Sequence, residues 1–209
     1  MLTRVAVVLD VGANVGQYGD LVFSTGFEGT LISFEAIEGV HRRLARHARQ
    51  RSKSWIVAPC CAVGSQRGSG QINISENEVS SSLLPMHRKH VEAAPESRYV
   101  EKQTVGIERL DVLVRDLLPP SGDLLIKVDA QGYEMEVLKG AEELLPRTAA
   151  IQVELSLVPL YDGAPGFVEL INFIESKSFK LFSLVPGFKD KENGQLLQMD
   201  GFFVRKNIP

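Results

Sequence analysis

The fold of this chain is decided by residues 5–16, which read Val5-Ala6-Val7-Val8-Leu9-Asp10-Val11-Gly12-Ala13-Asn14-Val15-Gly16. The stretch opens on five apolar residues, three of them valine, which is typical of a strand buried on both faces. An acid then ends the run, and two glycines permit a tight turn into a polar stretch compatible with a helix. Strand, glycine turn and helix form the opening unit of a doubly wound α/β sheet, in which ligands bind beyond the carboxyl ends of the strands.

A second acid stands where such a unit holds a ribose. The next strand ends at Glu35, about 25 residues after Asp10, and an acid at roughly this separation is the usual partner of the ribose hydroxyls. The glycine turn is not the GxGxxG fingerprint, because Asn14 replaces the second glycine, and it is not a P-loop. A good ribose site beside a poor phosphate site favours an adenosine-type ligand without a pyrophosphate, such as S-adenosylmethionine (SAM), over NAD.

The strongest downstream signal is a buried strand, Asp123–Asp129, followed by Gly132 and by a helix that begins at Glu134. In a sheet wound from its middle this strand lies beside the first one, so Asp10 and Asp129 are expected at the same edge. Further strands are predicted at Trp55–Ala58, Ala149–Leu155, Phe179–Val185 and Met199–Arg205. Residues 103–106 could pair with the strand near Ile72, and residues 60–64 are expected to form an exposed turn.

Apolar residues at helical spacing predict three further helices. They span about residues 37–49, with Val40, Leu44 and Ala48 as the buried stripe, and residues 107–118 and 167–176.

The last two predicted strands are joined by a polar turn without a helix and must therefore be antiparallel. The predicted fold class is α/β: a Rossmann-like class I methyltransferase fold with a doubly wound, mostly parallel seven-stranded sheet and an antiparallel C-terminal strand. We expect one domain across residues 1–209, since a chain of 209 residues can bury a substantial core.

Four motifs together resemble the FkbM family of SAM-dependent methyltransferases and occur in that family's order. They are Asp-Val-Gly-Ala-Asn-Val-Gly (10–16), Ser-Phe-Glu-Ala (33–36), Ile-Lys-Val-Asp-Ala-Gln-Gly-Tyr-Glu-Met-Glu-Val-Leu-Lys-Gly-Ala (126–141) and Val-Glu-Leu (153–155). The resemblance implies O-methylation of a hydroxyl on a small molecule, sugar or natural-product scaffold. Two residues depart from the family's pattern: Ala36 replaces a proline, and Gln131 replaces a glutamate, which removes one acid from the active-site edge.

The predicted cofactor site combines the glycine turn with the two strand-end acids. Glu35 is expected to bind the ribose hydroxyls and the glycine turn to face the methionine part of SAM. The resemblance also places the adenine near the turn at residues 60–64, whose simpler interpretation is an ordinary loop. The cofactor-binding set is therefore Asp10, Gly12, Asn14, Gly16, Glu35, Ala36, Ala62, Val63 and Asp129.

Catalysis of methyl transfer to oxygen needs a group that accepts the hydroxyl proton. Asp129 is our first candidate, although it could instead cap the following helix. Glu154 is the second, because an acid inside an apolar strand is costly without a partner. We expect Lys127 to pair with one of these acids. Together with Glu134 they could ligate a hard cation, but the missing acid at position 131 leads us to predict no metal.

A polar insertion at residues 77–99 interrupts the pattern of strands and helices. Insertions of this length in a compact domain are usually functional or disordered, so we predict a mobile lid or an acceptor-binding segment. It carries His87 and His90, three residues apart. We include His87 among the catalytic candidates, although a histidine pair in such a segment is more often a surface feature.

Composition excludes several classes of protein. A net charge of −3 argues against a broad nucleic-acid interface. No apolar run approaches the roughly 20 residues that span a bilayer, and the first strand starts too early to leave room for a signal peptide. Cys60 and Cys61 are expected to be reduced thiols of the core. We therefore expect a cytoplasmic protein with a small-molecule or saccharide acceptor, no nucleic-acid or membrane partner, and a possible homodimer.

Two alternative functions stay open. A binding or scaffold protein could retain the fold after losing the activity, and the residues at positions 36 and 131 are compatible with this. An NAD-dependent oxidoreductase is disfavoured because the chain lacks the second and third glycines of a pyrophosphate-binding turn.

Overall fold

The computed structural model describes residues 5–206. The strands are β1 (Val5–Val11), β2 (Thr30–Phe34), β3 (Trp55–Val57), β4 (Ala62–Val63), β5 (Gly68–Ser75), β6 (Tyr99–Glu108), β7 (Asp123–Val128), β8 (Thr148–Ser156), β9 (Phe179–Pro186) and β10 (Gln198–Arg205). The helices are α1 (Gln17–Ser24), α2 (Glu38–Arg51), α3 (Arg88–Ala93), α4 (Leu110–Leu113), α5 (Glu134–Lys139) and α6 (Phe167–Ser176).

The main sheet has seven strands in the order β3-β2-β1-β7-β8-β10-β9. The first five are parallel, and β10 runs antiparallel to both β8 and β9. The predicted fold class is therefore confirmed. β1 and β7 are neighbours, with Asp10 opposite Lys127 in the register, so the two predicted strand-end acids share one edge of the sheet.

Helices cover the two faces of this sheet unequally. On one face, α4, α5 and α6 bury Leu110, Leu138 and Ile174 against the strands. On the other face, α2 buries its predicted stripe of Val40, Leu44 and Ala48. Leu44 and Ala48 pack there with residues of β1, β2 and β3. The same face over β7, β8 and β10 is open and forms part of a large cavity, whose lining there includes Leu125, Ala150 and Phe202.

A second sheet of three strands has the order β4-β6-β5. The predicted pairing of the segment near Ile72 with Gln103 is confirmed. Residues 62 and 63, expected in an exposed turn, instead form β4, because they pair with Ile107 and Glu108 and are buried. Since β6 extends to Glu108, the helix predicted from residue 107 is shorter and spans Leu110–Leu113.

The insertion at residues 77–99 packs against the rest of the chain. Its serines form a polar cluster in which Ser80 and Ser97 share a hydrogen bond and Asn77 contacts both. His90 is 3% exposed and packs edge-on against Tyr161 and at a tilt against Phe188. Within residues 5–206, none of the helices combines the length and the hydropathy needed to cross a bilayer.

Candidate active site

A cavity of about 1520 Å³ opens at the carboxyl ends of β1, β2 and β7. Seven of the nine residues predicted to bind the cofactor line it, and two lie outside. The residues at the cavity wall are Gly12, Asn14, Glu35, Ala36, Ala62, Val63 and Asp129. Asp10 lies beneath the cavity and is fully buried. Gly16 lies at the start of α1, where a Cβ would come within 2.8 Å of the Trp55 ring, so its role is in packing.

The glycine turn touches the strand that carries Asp129. Gly12 has a φ of +75°, and a Cβ at this position would lie 1.8 Å from the Asp129 carbonyl oxygen. The amides of Gly12 and Ala13 both donate to the Phe34 carbonyl, at 3.1 and 3.0 Å. Any larger residue at position 12 would push apart the turns that follow β1 and β7, which is the physical reason for glycine there.

Glu35 is anchored by backbone amides on both of its carboxylate oxygens. Oε2 accepts from the Asn14 amide at 3.0 Å and Oε1 from the Ile37 amide at 2.8 Å. Burial raises the pKa of Glu35, and the amides of Ile37 and Asn14 oppose that rise. A carboxylate has about four acceptor positions, so each oxygen keeps one for a ligand. The carboxylate is thus held in place with capacity to bind two hydroxyls.

Lys127 forms ion pairs with the acid of β1 and with the acid that follows β7. Its Nζ lies 3.2 Å from Asp10 Oδ1 and 3.7 Å from Asp129 Oδ2, and it donates to the Gly12 carbonyl at 3.2 Å. The predicted pairing of this lysine is therefore confirmed. Burial acts to lower the pKa of Lys127, but Asp10 and Asp129 raise it overall. Within residues 5–206, it is the only lysine or arginine that lines the cavity.

Asp129, Gln131 and Glu154 form an acidic corner at the carboxyl ends of β7 and β8. The Gln131 amide donates to Asp129 Oδ1 at 2.6 Å and to Glu154 Oε2 at 2.9 Å. Glu154 does not line the cavity, but Gln131 does, and the hydrogen bond between them connects Glu154 with the cavity wall. Burial, followed by the charges of Asp129, Glu134 and Asp200, raises the pKa of Glu154 well above its usual value. The two acids predicted for catalysis are therefore brought together.

The turn after β7 is fixed by Glu134 and not by Asp129. Glu134 Oε1 accepts from the amides of Ala130 and Gly132, both at 3.0 Å. The residue that precedes α5 makes no capping hydrogen bond with its side chain. Asp129 is thus free of the capping role that the sequence left open, and it lines the cavity.

Glu134 makes the stability of the fold depend on pH. Burial raises its pKa from the ordinary 4.5 to about 7, so between these values the folded protein retains a proton that the unfolded chain releases. This contribution to stability is complete below pH 4.5 and is lost as the pH rises to about 7. When the pH rises from about 5 to about 8, the free energy of unfolding of wild type should fall further than that of Glu134→Gln. We expect the two falls to differ by up to about 3 kcal/mol.

Urea unfolding at the two pH values measures this difference. Glu143→Gln, which changes an exposed acid, is the matched control and should follow wild type. Equal pH dependence of Glu134→Gln and wild type would contradict the assignment of a shifted pKa to Glu134.

His87 is not brought to the acidic corner. It precedes α3, where its Nδ1 accepts from the Lys89 amide at 3.2 Å, and its own amide donates to the Leu160 carbonyl. It does not line the cavity, so its expected catalytic role has no geometric support. The insertion reaches the cavity instead through residues 78, 79 and 81–83.

Other predictions concern thiols and metal ligands. Cys60 and Cys61 are free thiols, but Cys60 is exposed and Cys61 half-buried. The expected core position is wrong because both lie in the loop that precedes the short strand β4. Among residues 5–206, no group of three or more His, Cys, Asp and Glu side chains has an arrangement that could hold a metal ion.

Sequence reasoning missed Tyr161, whose hydroxyl donates to Gln131 Oε1 at 2.5 Å. It also missed the contact of Tyr18 with Gln152 at 2.9 Å beside Lys127. Neither tyrosine belongs to a recognisable motif.

Comparison with known proteins defines the class that this fold and site represent. The sequence profile of the methyltransferase FkbM domain matches residues 10–181. The chain belongs to the FkbM methyltransferase family, and its cofactor is SAM.

The chain is also similar to one curated relative and to two solved structures. It is 28% identical over 156 residues to methyltransferase sdnD of Sordaria araneosa, covering 65% of this chain and 60% of the relative's length. A protein of the NADB-Rossmann superfamily from Streptococcus agalactiae aligns with a TM-score of 0.53 at 9% identity, over 99% of this chain and 64% of that one. An uncharacterised protein from Listeria monocytogenes serotype 4b gives 0.52 at 9%, over 98% and 63%. At such identities the two structures show the fold alone.

The residues present fit SAM. Glu35 keeps an acceptor position on each carboxylate oxygen for the ribose hydroxyls, and the glycine turn lets the backbone approach the ligand closely. Lys127 supplies positive charge at the cavity wall, and Asp129 supplies negative charge. The methionine part of SAM carries a carboxylate, an amine and a sulfonium, and these charges match the two side chains.

Proposed function

We propose that this chain catalyses SAM-dependent methyl transfer to a hydroxyl group of a small-molecule or saccharide acceptor. One observation carries the proposal: Glu35 and Asp129 line the same cavity, with the glycine turn between them. The first is anchored in the manner of a ribose-binding acid, and the second presents a carboxylate that caps no helix. The O-directed part of the proposal rests on the resemblance of the motifs to the FkbM family.

Each residue of the site would have a separate role in methyl transfer. SAM supplies an electrophilic methyl group when bound. Asp129 accepts the proton of the acceptor hydroxyl, a role in which a carboxylate contributes roughly 10²- to 10⁴-fold in rate. Tyr133 also lines the cavity and offers a hydroxyl for a polar acceptor, whereas the hydroxyls of Ser81 and Ser82 already donate to backbone carbonyls. Most of the remaining catalysis comes from holding the acceptor in line with the methyl group.

The proposal extends to the partners of the protein and to the compartment in which it acts. The net charge of −3 favours a small acceptor over a nucleic acid. The two free thiols, Cys60 and Cys61, favour a reducing compartment such as the cytoplasm. A homodimer stays a proposal without a defined interface.

Transfer of a labelled methyl group tests the reaction. The protein is incubated with SAM carrying a ¹³C methyl group and a panel of hydroxylated small molecules and sugars, and the carbon chemical shift of the product identifies the methylated atom. We expect an O-methyl product and a loss of about 100-fold or more in rate for Asp129→Asn. Asp116→Asn, an exposed acid outside the cavity, should match wild type. Methylation of carbon or nitrogen, or full activity of Asp129→Asn, would refute the proposal.

A further inference from the structure

Gln131 occupies the space between two acids that would otherwise face each other. Its side-chain nitrogen lies 2.6 Å from Asp129 Oδ1 and 2.9 Å from Glu154 Oε2. An amide nitrogen carries two hydrogens, so each acid receives one. The residue adopts φ +51°, a backbone conformation that is uncommon for a side chain of this size and that directs the amide into the corner.

Tyr161 holds the other end of the same amide. Its side chain is 2% exposed, and its hydroxyl lies 2.5 Å from Gln131 Oε1 and 3.1 Å from the Ser80 carbonyl. Burial raises the pKa of Tyr161 well above 10, so the hydroxyl stays a donor. A reversed amide would place its oxygen against Asp129 Oδ1 and Glu154 Oε2 and would remove the N–H donors of Gln131 from both. The amide nitrogen therefore faces the two acids, and the amide oxygen accepts the hydroxyl hydrogen of Tyr161.

The backbone of Gln131 is held from the insertion. The Ser82 hydroxyl donates to the Gln131 carbonyl at 2.7 Å. Ser82 lies in the part of the insertion that lines the cavity, and Tyr161 contacts the neighbouring Ser80. Gln131 thus connects the insertion with the acidic corner.

The charges around the corner explain why an amide is needed. Glu154 is surrounded by the acids Asp129, Glu134 and Asp200, with Lys127 as the opposing cation. Gln198 donates a further N–H to Glu154 Oε2 at 2.6 Å. Carboxylates at contact distance repel each other unless a donor separates them or one takes up a proton. The Gln131 amide provides that donor to both acids without adding charge.

We propose that Gln131 is a positioning residue of the methyl-transfer site: Tyr161 orients its amide, and the two amide hydrogens fix the carboxyl groups of Asp129 and Glu154 relative to each other. This inference rests on the proposed function, because it takes Asp129 as the acid that faces the acceptor. It assigns no contact between Gln131 and the reacting atoms. Gln131 acts through the two acids, and Tyr161 acts through Gln131.

The titration of Glu154 tests this chain of contacts. Protein labelled with ¹³C at the glutamate carboxyl carbons is titrated by NMR, and Glu154→Gln identifies the Glu154 resonance. Tyr161→Phe frees the amide to rotate away, so Glu154 loses an N–H donor to its charged form. We expect its midpoint to rise by about one pH unit. Gln131→Met removes the donor directly and should raise the midpoint at least as far; it also serves if Tyr161→Phe does not fold.

Thr148→Val is the matched control. Thr148 lies at the start of β8, where its buried hydroxyl donates to a backbone carbonyl, that of Leu144, at 3.0 Å, and it has no hydrogen bond to Gln131. Its loss should leave the Glu154 midpoint unchanged. An unchanged midpoint in folded Gln131→Met would overturn the proposal, since a purely structural role leaves the titration of Glu154 in place.

Calorimetric titration with SAM separates this inference from the proposed function. Gln131→Met keeps Glu35 and the glycine turn unchanged and alters only the position of Asp129 at the cofactor, so its affinity for SAM should fall by less than about 10-fold while transfer falls further. A larger loss of affinity would assign Gln131 to cofactor binding and overturn the positioning role. Failure of wild type to bind SAM would overturn the proposed function while the NMR result on the amide bridge stands.

Discussion

Replacement of Glu35 by alanine is expected to raise the dissociation constant for SAM by about 100-fold or more. The change removes the two acceptor positions available to the ribose hydroxyls, and a hydrogen bond to a charged group contributes about 1.5–3 kcal/mol. It also releases the amides of Asn14 and Ile37, which the carboxylate holds in place. The glycine turn would then lose its fixed position beside the cavity. Isothermal titration calorimetry measures the affinity directly.

Two further variants separate binding from folding. Glu35→Gln keeps one oxygen acceptor, so its affinity should fall between those of wild type and Glu35→Ala. Glu28→Ala changes an exposed acid in the turn after α1 and should bind SAM like wild type. Thermal unfolding without ligand shows whether Glu35→Ala is folded. Wild-type affinity in folded Glu35→Ala would mean that the ribose lies elsewhere.

Replacement of Lys127 by methionine is expected to lower the free energy of unfolding by about 3–5 kcal/mol. Removing one partner of a buried ion pair leaves the other charge unpaired, which is the costly case for buried pairs. Asp10 is fully buried, and desolvation already raises its pKa despite the opposing charge of Lys127. The Gly12 carbonyl would also lose its donor. Urea unfolding near neutral pH gives the magnitude.

The double variant Asp10→Asn with Lys127→Met distinguishes the ion pair from simple packing. Once Lys127 is absent, removing the charge of Asp10 should recover part of the lost stability, and the coupling follows from a double-mutant cycle. Lys102→Met, an exposed change on β6, should alter stability by less than about 0.5 kcal/mol. A loss below about 1 kcal/mol for Lys127→Met would contradict a stabilising role of its ion pair with Asp10.

The sheet could be predicted because its central strands carry an unambiguous signal. The runs before Asp10 and Asp129 are continuously apolar and end in an acid, and burial on both faces explains such runs. The register then follows from winding: β7 lies beside β1, and Asp10 is opposite Lys127. Helix α6 has one apolar and one polar face, and it has the predicted bounds, Phe167–Ser176.

The smaller elements could not be predicted because tertiary contacts define them. β4 has two residues and exists only through its pairing with β6. The helix after β6 is short because the strand extends to Glu108. Periodicity carries no information about either outcome, since a segment of two to four residues has no measurable period.

Part of the candidate site could likewise be predicted from the sequence, and part could not. Glu35, Asp129 and the glycine turn follow from their places at strand ends. The bridge from Tyr161 through Gln131 to Glu154 joins residues that are 23 and 30 positions apart, and loops bring them together. The catalytic role expected of His87 has no geometric support for a similar reason. Its position within the insertion did not reveal that it would hydrogen-bond to Lys89 and Leu160.

Calorimetric titration of the wild-type protein with SAM, S-adenosylhomocysteine and NAD tests most directly whether the cavity is a SAM site. We expect micromolar binding of the first two, with a stoichiometry of one per chain, and no binding of NAD. The anchored acid at the end of β2 and the absence of a pyrophosphate-binding turn require that result. Binding of NAD, or no binding of SAM and S-adenosylhomocysteine by folded protein, would contradict it.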